Sequence, residues 1–372
     1  MDGKNLTQVL ARKSAALEYD DLPQEAHELA RQCILDYFGV AVAGAGDELV
    51  RLLLDELTEA GGATQASVIG HQSRLPALSA ALVNGAAGHA LDYDDVNMAM
   101  PGHPSVAILP GLLALAELKR SSGREVITAF VAGYETACRI GAALQPGHYN
   151  LGFHSTGTVG AFGAAAACAR LLGLDAEATA MALGIAGTQA AGLKSQFGTM
   201  CKPFHAGKAA QNGLLAARLA ARGFSSRADI IEGIQGFALT HGPDFSPEAA
   251  LATPEVGLHL FANLFKYHAA CYLTHAPIEC ARRLREQHRL TPRRSSGSPC
   301  GSMRAASGSA TSRLPSMGCR ANSACARPSR WHWLGSIRRA SAPIAPRMRA
   351  TRPSWDCGSG SRSSGRTGGR RP

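Results

Sequence analysis

The sequence predicts a mainly α-helical protein, with one large helical domain in its N-terminal part. Three observations support this class. Apolar residues recur at helical spacing through most of the first 290 or so positions, and glycine or proline stands where these segments should begin or end. Hydrophobic residues make up 45% of the 372, which is enough for a sizeable buried core. A strand pattern is visible only at residues 66–70.

The first two predicted helices are amphipathic, and glycine ends both. Residues 25–43 form the first helix, which stops at Gly44. Its apolar face consists of Ala26, Leu29, Ala30, Cys33, Ile34, Tyr37, Phe38 and Ala41. Residues 47–60 form the second helix, and the pair Gly61-Gly62 stops it.

The elements that follow are predicted from the same signals. Residues 66–70 are expected to form a short strand, and Pro76 is expected at the first position of a helix that runs toward His89. Asp175 is expected as the N-cap of a later helix. The remaining predicted helices span residues 105–119, 124–140, 157–172, 175–192 and 207–222.

One of these helices, with the sequence GTVGAFGAAAACARLLG, has small residues on nearly every side. Such a helix gains little from its own side chains, so it is expected to pack closely inside other helices. Its glycine spacing differs from GxGxxG, and no predicted strand precedes it. A dinucleotide-binding loop is therefore excluded, and GKAA at Gly207 is likewise no phosphate loop.

The C-terminal part, residues 293–372, has a different composition. It holds 16 of the 38 basic residues, all of them arginine, and one of the 28 acidic residues, Asp356. The overall charge of +10 therefore hides a mildly acidic chain before the tail. We expect no packed core there. The interpretation that we favour is a frameshifted translation of a GC-rich gene, because arginine occurs without lysine. The alternative is a disordered basic arm that binds nucleic acid.

The N-terminal sequence and the cysteines predict a cytoplasmic protein. The N-terminus lacks the apolar stretch and cleavage site of a signal peptide, and no run of about 18 apolar residues predicts a membrane span. Ten cysteines are scattered without a CxxC pair, which favours free thiols over disulfides or a zinc site. We therefore expect no membrane partner, and we do not expect nucleic acid as the ligand.

The first polar cluster is GHALDYDDVNMAMPGHPS, which carries His89, Asp92, Asp94, Asp95 and His103. Three carboxylates so close together repel one another, which raises at least one pKa and can prepare a base for a proton beside a carboxylate. Two alternatives remain open. The segment could be a solvated loop whose aspartates cap helices, or its histidines and aspartates could bind a metal ion.

Two further clusters carry histidine and lysine. His154, in GFHSTGTVG, comes just before a predicted helix N-terminus, where backbone N–H groups favour an anion, although a lone histidine can also be an ordinary core residue. Lys202, His205 and Lys208, in FGTMCKPFHAGKAAQNG, precede and open another helix. They predict a receptor for carboxylates, and the alternative is a pair of surface lysines. The segment FKYHAACYLTHA adds Lys266, His268 and His275.

The succession of these motifs resembles the MmgE/PrpD family. The segments LDYDD, GHPS, GFHSTGTVGAFGAA, KPFHAGKAA and FKYHAACYLTHAPIE follow one another in the order and spacing of that family, over residues 5–290. The family includes 2-methylcitrate dehydratase, cis-aconitate decarboxylase and related epimerases. The resemblance implies an all-helical domain at 1–265, the start of an α/β lid domain at 266–292, and a homodimer. The composition described above assigns 293–372 to a disordered or frameshifted tail.

The resemblance also implies an active site between the helical domain and the lid, with no metal and no organic cofactor. The implied catalytic residues are Asp92, His103, His154, Lys202 and Lys266. Asp92 and His103 would handle protons. His154 and the two lysines would hold substrate carboxylates and stabilise an enolate-like intermediate.

The resulting functional hypothesis is a cofactor-independent lyase that resembles 2-methylcitrate dehydratase. It would abstract a proton alpha to a carboxylate of a small polycarboxylate. A decarboxylase or an epimerase of the same family is the first alternative, and Val96 stands where some members have threonine, which leaves the substrate open. Further alternatives are an inactive remnant, because the family's lid extends well beyond residue 292, and nucleic-acid binding by the basic tail.

Overall fold

The computed structural model describes residues 5–289, so the predicted tail and the last three residues of the predicted lid segment lie outside the described residues. Helices form nearly all of the regular structure, which confirms the mainly α class. The helices are α1 (Leu6–Ala16), α2 (Gln24–Gly44), α3 (Glu48–Glu59), α4 (Ala77–His89), α5 (Pro104–Lys119), α6 (Gly123–Leu144), α7 (Gly147–Leu151), α8 (Ser155–Leu171), α9 (Ala176–Gly187), α10 (Cys201–Ala220), α11 (Phe237–His241), α12 (Pro247–Leu251) and α13 (His275–His288).

The other regular elements are short. Two strands, β1 (Ala66–Ser67) and β2 (Arg74–Leu75), pair antiparallel. Single turns of 3-10 helix lie at Tyr19–Asp21, Lys194–Gln196, His259–Ala262 and Tyr272–Thr274. The strand predicted at 66–70 is therefore correct in place but only two residues long.

The predicted bounds of α2 and α3 are confirmed to within one residue, because local signals fix their ends. The Asp47 side chain accepts a hydrogen bond from Leu49 N at 2.9 Å, which satisfies a free backbone donor at the start of α3. On the predicted apolar face of α2, Tyr37 is buried, whereas Phe38 is 40% exposed. The part of α2 that is buried in the core is thus narrower than the apolar face predicted from the sequence.

Four other predicted bounds were wrong. The helix predicted at residues 124–140 continues to Leu144. The helix predicted from Gly207 begins six residues earlier, at Cys201, because Pro203 lies in its first turn, where a backbone N–H is not needed. The helix predicted to reach Gly192 ends at Gly187, although Asp175 caps it as expected. Pro76 precedes α4 as its N-cap rather than occupying its first position.

Helix α8 lies at the centre of the core. Every residue from Ser155 to Leu171 except Arg170 is buried, and the helix packs against α5, α6, α9 and α10. This confirms the prediction that a helix with small side chains on nearly every side packs inside other helices. The glycines of GTVGAFG lie inside the helix, so they form no phosphate-binding loop.

Small residues allow helix backbones to approach closely around α8 and α10. A Cβ added at Gly85 of α4 would lie 2.6 Å from the Cα of Gly207 on α10. That distance is too short for any side chain, so the contact between these two helices requires glycine. It also brings the end of α4 beside the beginning of α10, where the polar motifs lie.

The predictions about membrane-spanning segments and about the cysteines can be compared with the described residues. Within residues 5–289, no helix has both the length and the apolar character needed to cross a bilayer. The cysteines in that range are free thiols, namely Cys33, Cys138, Cys168, Cys201, Cys271 and Cys280.

Candidate active site

The ends of four helices position the polar motifs. His89 is the last residue of α4, and His103 and His154 are the N-caps of α5 and α8. Lys202 lies in the first turn of α10. The loop between α4 and α5 carries the three aspartates, so side chains far apart in the sequence meet at one place.

A strand-like contact joins this loop to the segment that carries Lys266. Val96 and Leu264 exchange two backbone hydrogen bonds, each 2.9 Å long. Val96 itself is buried, with 4% of its surface exposed. Lys266 follows two residues after Leu264, and its ammonium is thereby held beside the aspartates.

Asp92 is the centre of the cluster, and two lysines bind its carboxylate. Lys266 Nζ donates to Asp92 Oδ1 at 2.7 Å and to its main-chain oxygen at 2.6 Å, and Lys202 Nζ donates to Oδ2. Burial alone would raise the pKa of Asp92, but Lys202 and Lys266 outweigh burial and hold the pKa well below its usual range. Asp92 also has a φ of +50°, a conformation that aspartate tolerates better than most residues.

This arrangement bears on the proton-handling role expected for Asp92. A carboxylate that accepts from two ammonium groups and has a depressed pKa is a weak base. The geometry favours Asp92 as the group that holds the two lysines in place. The prediction that Asp92 handles protons therefore has less support than the same prediction for His103.

His103 lies between two carboxylates. Its Nε2 is 3.7 Å from Asp92 Oδ1, and its Nδ1 is 3.2 Å from Asp94 Oδ2. The backbone N–H of His103 donates to Thr156 Oγ1 at 3.1 Å, which connects the start of α5 to the first turn of α8. The imidazole is therefore fixed beside the lysines and can exchange a proton at Nε2.

His89 and Asp94 support His103 from behind. His89 Nδ1 lies 2.9 Å from both carboxylate oxygens of Asp94, and the rings of His89 and His103 are 4.6 Å apart. Burial lowers the pKa of His89 to about 4. Burial acts to raise the pKa of Asp94, but the two imidazoles outweigh burial and keep that pKa low. Both residues belong to the first polar cluster, yet the catalytic set that the resemblance implies does not include them.

Asp95 is buried close to a further carboxylate, that of the half-buried Asp36 on α2. Asp95 is fully buried and accepts from Ser105 Oγ at 2.5 Å and from Ser105 N at 3.3 Å. Burial raises the pKa of Asp95 to about 7 and that of Asp36 to about 6. A raised aspartate pKa was expected from repulsion among the three carboxylates, but burial is the larger cause. Nothing in the sequence around Asp36 indicated that it belongs here.

The solvated-loop interpretation of this segment is wrong. Asp92, Asp94 and Asp95 are exposed by 6%, 1% and 0%. Carboxylates this deeply buried need partners, and lysine, histidine and serine supply them.

His154 lies near Lys202 and is 2% exposed. Burial lowers its pKa well below the usual value, and the nearby His89, Lys202, His205 and His103 lower it further. The ring is therefore neutral and cannot hold a carboxylate as a cation, in contrast to the lysines. It can still donate one hydrogen bond.

Three other candidate side chains have partners of their own away from Asp92. Lys208 Nζ donates to Gln211 Oε1, and His268 pairs with Glu279 Oε1 at 2.7 Å. His275 contacts the main-chain oxygen of Ala270 at 3.2 Å. Of the two lysines in KPFHAGK, the structure thus brings only Lys202 to the cluster.

One group of described residues brings enough ligand atoms together to hold a metal ion. Donor atoms of His89, Asp92, Asp94 and His103 lie within 4.8 Å of one another. However, Asp92 is already neutralised by two ammonium groups, which would stand next to any added dication. This charge balance disfavours the metal interpretation.

A cavity of about 250 Å³ opens beside His103. Its walls are mostly apolar and aromatic, and they include Val96, Met98, Pro101, Pro146, Tyr149, Tyr272 and Leu273. The imidazole of His103 therefore lies at the edge of a space large enough for a small molecule.

Comparison with known proteins identifies similar sequences. Residues 8–250 match the family described as the MmgE/PrpD N-terminal domain. A cis-aconitate decarboxylase of Aspergillus terreus is 33% identical over 301 residues, which cover 76% of this chain and 61% of that protein. The cis-aconitate decarboxylase of Mus musculus is 31% identical over 302 residues, covering 78% and 61%. The chain thus spans about three fifths of the length of these curated relatives.

Proposed function

The chain belongs to the MmgE/PrpD family, and from this premise we propose that it is a lyase that acts on a small polycarboxylate. The observation that carries the proposal is the placement of two lysines, the buried Lys266 and the partly buried Lys202, around one aspartate, with His103 3.7 Å away. Within this trio, two ammonium groups and one carboxylate leave one positive charge in excess, and the neighbouring Asp94 carboxylate contacts His89 and His103 instead of the lysines. A substrate carboxylate or an enolate oxygen can neutralise that charge.

The proposed chemistry passes through an enolate. In a dehydration, His103 Nε2 takes the proton from the carbon next to a carboxylate, and hydroxide leaves from the neighbouring carbon. In a decarboxylation, the carbon–carbon bond to a carboxylate breaks, its electrons move to the carbon, and protonated His103 delivers a proton there. In both reactions Lys202 and Lys266 stabilise the negative charge, and Asp92 holds the lysines.

The finer choice between these reactions has support on both sides. The motif order resembles a family that includes 2-methylcitrate dehydratase, whereas the relatives reported above are named cis-aconitate decarboxylases. An epimerase of the same family would use the same enolate. Both named substrates are tricarboxylates, so they share the charge that the two lysines would bind.

The rest of the proposal concerns organisation. We place a helical domain at residues 1–265 and the start of a lid domain at 266–292. No residue of α13 is buried, which is consistent with a segment that packs against something other than the helical body. The proposal further includes a homodimer, a cytoplasmic location and no cofactor.

The direct test is to incubate the purified chain with 2-methylcitrate and with cis-aconitate. Carbon dioxide release and formation of a carbon–carbon double bond would be followed separately. We expect turnover of at least one substrate, lowered at least about a hundredfold by His103→Asn. The matched control His268→Asn, at a histidine paired with Glu279, should keep the activity. A folded protein that converts neither substrate, or equal rates in both variants, would contradict the proposal.

A further inference from the structure

His154 presents a chemical problem that the proposed function leaves unsolved. Its ring is buried and neutral, yet it lies beside Lys202 and His103, where negative charge would gather. A neutral imidazole carries one N–H and one lone pair. The nitrogen that carries the proton therefore decides whether His154 attracts or repels a substrate oxygen.

The surroundings of His154 leave only one of its ring edges free for a ligand. Nδ1 of His154 lies 3.1 Å from Nδ1 of His205 on α10. Phe197 packs edge-on against the ring at 4.8 Å, and His89 stacks against it at 5.7 Å. With Nδ1 engaged by His205, Nε2 is the ring nitrogen of His154 that can meet a substrate.

Two glycines provide the room for the contact between His154 and His205. A Cβ added at Gly157 would lie 3.0 Å from the Cβ of His205. A Cβ added at Gly192, where φ is +153°, would lie 3.4 Å from Nδ1 of His205 and 3.5 Å from the Cβ of His154. Gly192 also accepts the backbone N–H of His154 at 3.0 Å. The approach of the two rings is therefore built into the backbone on both sides.

The direction of the hydrogen bond follows from the charge that the site must bind. If His154 donates from Nδ1, its Nε2 turns a lone pair toward the substrate, which would repel an anionic oxygen. If His205 donates instead, Nε2 of His154 carries the proton and can donate to that oxygen. Only the second arrangement agrees with the two lysines nearby.

We propose that His205 is a positioning residue that donates its Nδ1–H to Nδ1 of His154. It thereby keeps His154 as a neutral donor, through Nε2, to a carboxylate or enolate oxygen of the substrate. The ligand in this statement rests on the proposed function. The protonated nitrogen of His154 does not, and it can be measured without turnover.

The test uses nitrogen NMR of the full chain labelled with ¹⁵N-histidine, since the two tautomers of a neutral imidazole give distinct patterns. The resonances of His154 are assigned by their absence in His154→Gln. In the unmodified protein we expect the proton on Nε2 of His154. A proton on Nδ1 of His154 would overturn the proposal before any change at position 205 is made.

A pair of nearly isosteric variants then tests the role of His205. In His205→Asn the amide can still donate at the place of Nδ1, so the tautomer of His154 should be retained. In His205→Asp the carboxylate can only accept, so Nδ1 of His154 should become protonated. His268→Asn controls for loss of a histidine elsewhere. An unprotonated Nδ1 of His154 in folded His205→Asp would overturn the proposal, and if that variant does not fold, the unmodified protein and His205→Asn decide.

Turnover gives a second readout. We expect kcat to fall about tenfold or more in His205→Asp, and to stay within about threefold of the unmodified protein in His205→Asn. Equal losses in both variants would indicate a merely structural role and contradict the proposal. The expected tautomers without turnover of any polycarboxylate would support the role of His205 and contradict the proposed function instead.

Discussion

Replacing Asp92 by asparagine tests whether this carboxylate serves mainly to hold two buried ammonium groups. Asparagine has nearly the same size and tolerates a φ of +50°, so the backbone conformation is retained. What the variant removes is the charge between Lys202 and Lys266. Lys266 is the more sensitive partner, because its side chain is 0% exposed.

The expected loss of stability follows from the distances. At 2.7 Å and an effective dielectric constant of about 20, one ion pair corresponds to about 6 kcal/mol before the cost of desolvation. Burying the two charges costs several kcal/mol, so most of this energy is offset in the intact protein. Removing one charge of the pair leaves the desolvation cost of the other charge without the Coulomb attraction that offset it. We therefore expect Asp92→Asn to lower the free energy of unfolding by about 3–5 kcal/mol at neutral pH.

The measurement is urea denaturation of the unmodified protein, Asp92→Asn, Lys266→Met and the double variant. The double variant should be more stable than the sum of the two single losses predicts, because it removes the orphaned charge together with its partner. A loss below about 1 kcal/mol in Asp92→Asn, or losses that simply add, would refute this account of the pair.

Four further predictions follow from other features. Lys202→Met should lower kcat/KM at least about a hundredfold. Lys208→Met, more than one helix turn away, should leave kcat/KM nearly unchanged. Equal losses in the two variants would contradict the proposed role of Lys202. The pKa of Asp95 is raised from 3.8 to about 7, so ionisation of Asp95 lowers the free energy of unfolding as the pH rises from about 4 to 7. Between pH 5 and pH 8, the free energy of unfolding should therefore decline less for Asp95→Asn than for the unmodified protein. An equal decline in the two proteins would contradict the assignment. Gly85→Ala should lower the free energy of unfolding by about 1–3 kcal/mol because its Cβ would meet the backbone of α10, while Gly39→Ala, with open space around it, should change it by less than about 1 kcal/mol. Treatment with EDTA should leave the melting temperature and any turnover unchanged, and a loss that a single added metal ion restores would revive the metal interpretation.

The helices could be predicted where local signals fix both ends. Glycine after α2 and the cap at Asp47 before α3 are visible in the sequence, and both predicted bounds are confirmed to within one residue. The start of α10 was predicted six residues too late, and Pro203 is compatible with the observed start because proline is tolerated in a first turn. Helix α1 was not predicted, and its N-cap residue, Asn5, makes no side-chain hydrogen bond there.

The candidate site could be predicted in its members more than in its contacts. The structure brings Asp92, His103, Lys202 and Lys266 within direct reach of one another, and their catalytic roles stay predictions. The pairing of His154 with a residue 51 positions later could not be predicted, because it depends on how α8 and α10 pack. Sequence spacing says nothing about which of several polar side chains a carboxylate meets after the helices have assembled.

The contact between Val96 and Leu264 has a consequence for anyone who divides the protein into parts. The predicted border between helical domain and lid, at residue 265, falls between Leu264, which is hydrogen-bonded to the loop of Asp92, and Lys266, which binds Asp92 itself. An expression clone that stops at this border would keep the bulk of the helical core and discard one of the two cations. It would keep Leu264, but the segment that pairs with the aspartate loop would end one residue later. The two segments can be assigned to different domains, but both are needed to form the site. A version truncated at residue 265 should therefore not be used to judge what the site can bind.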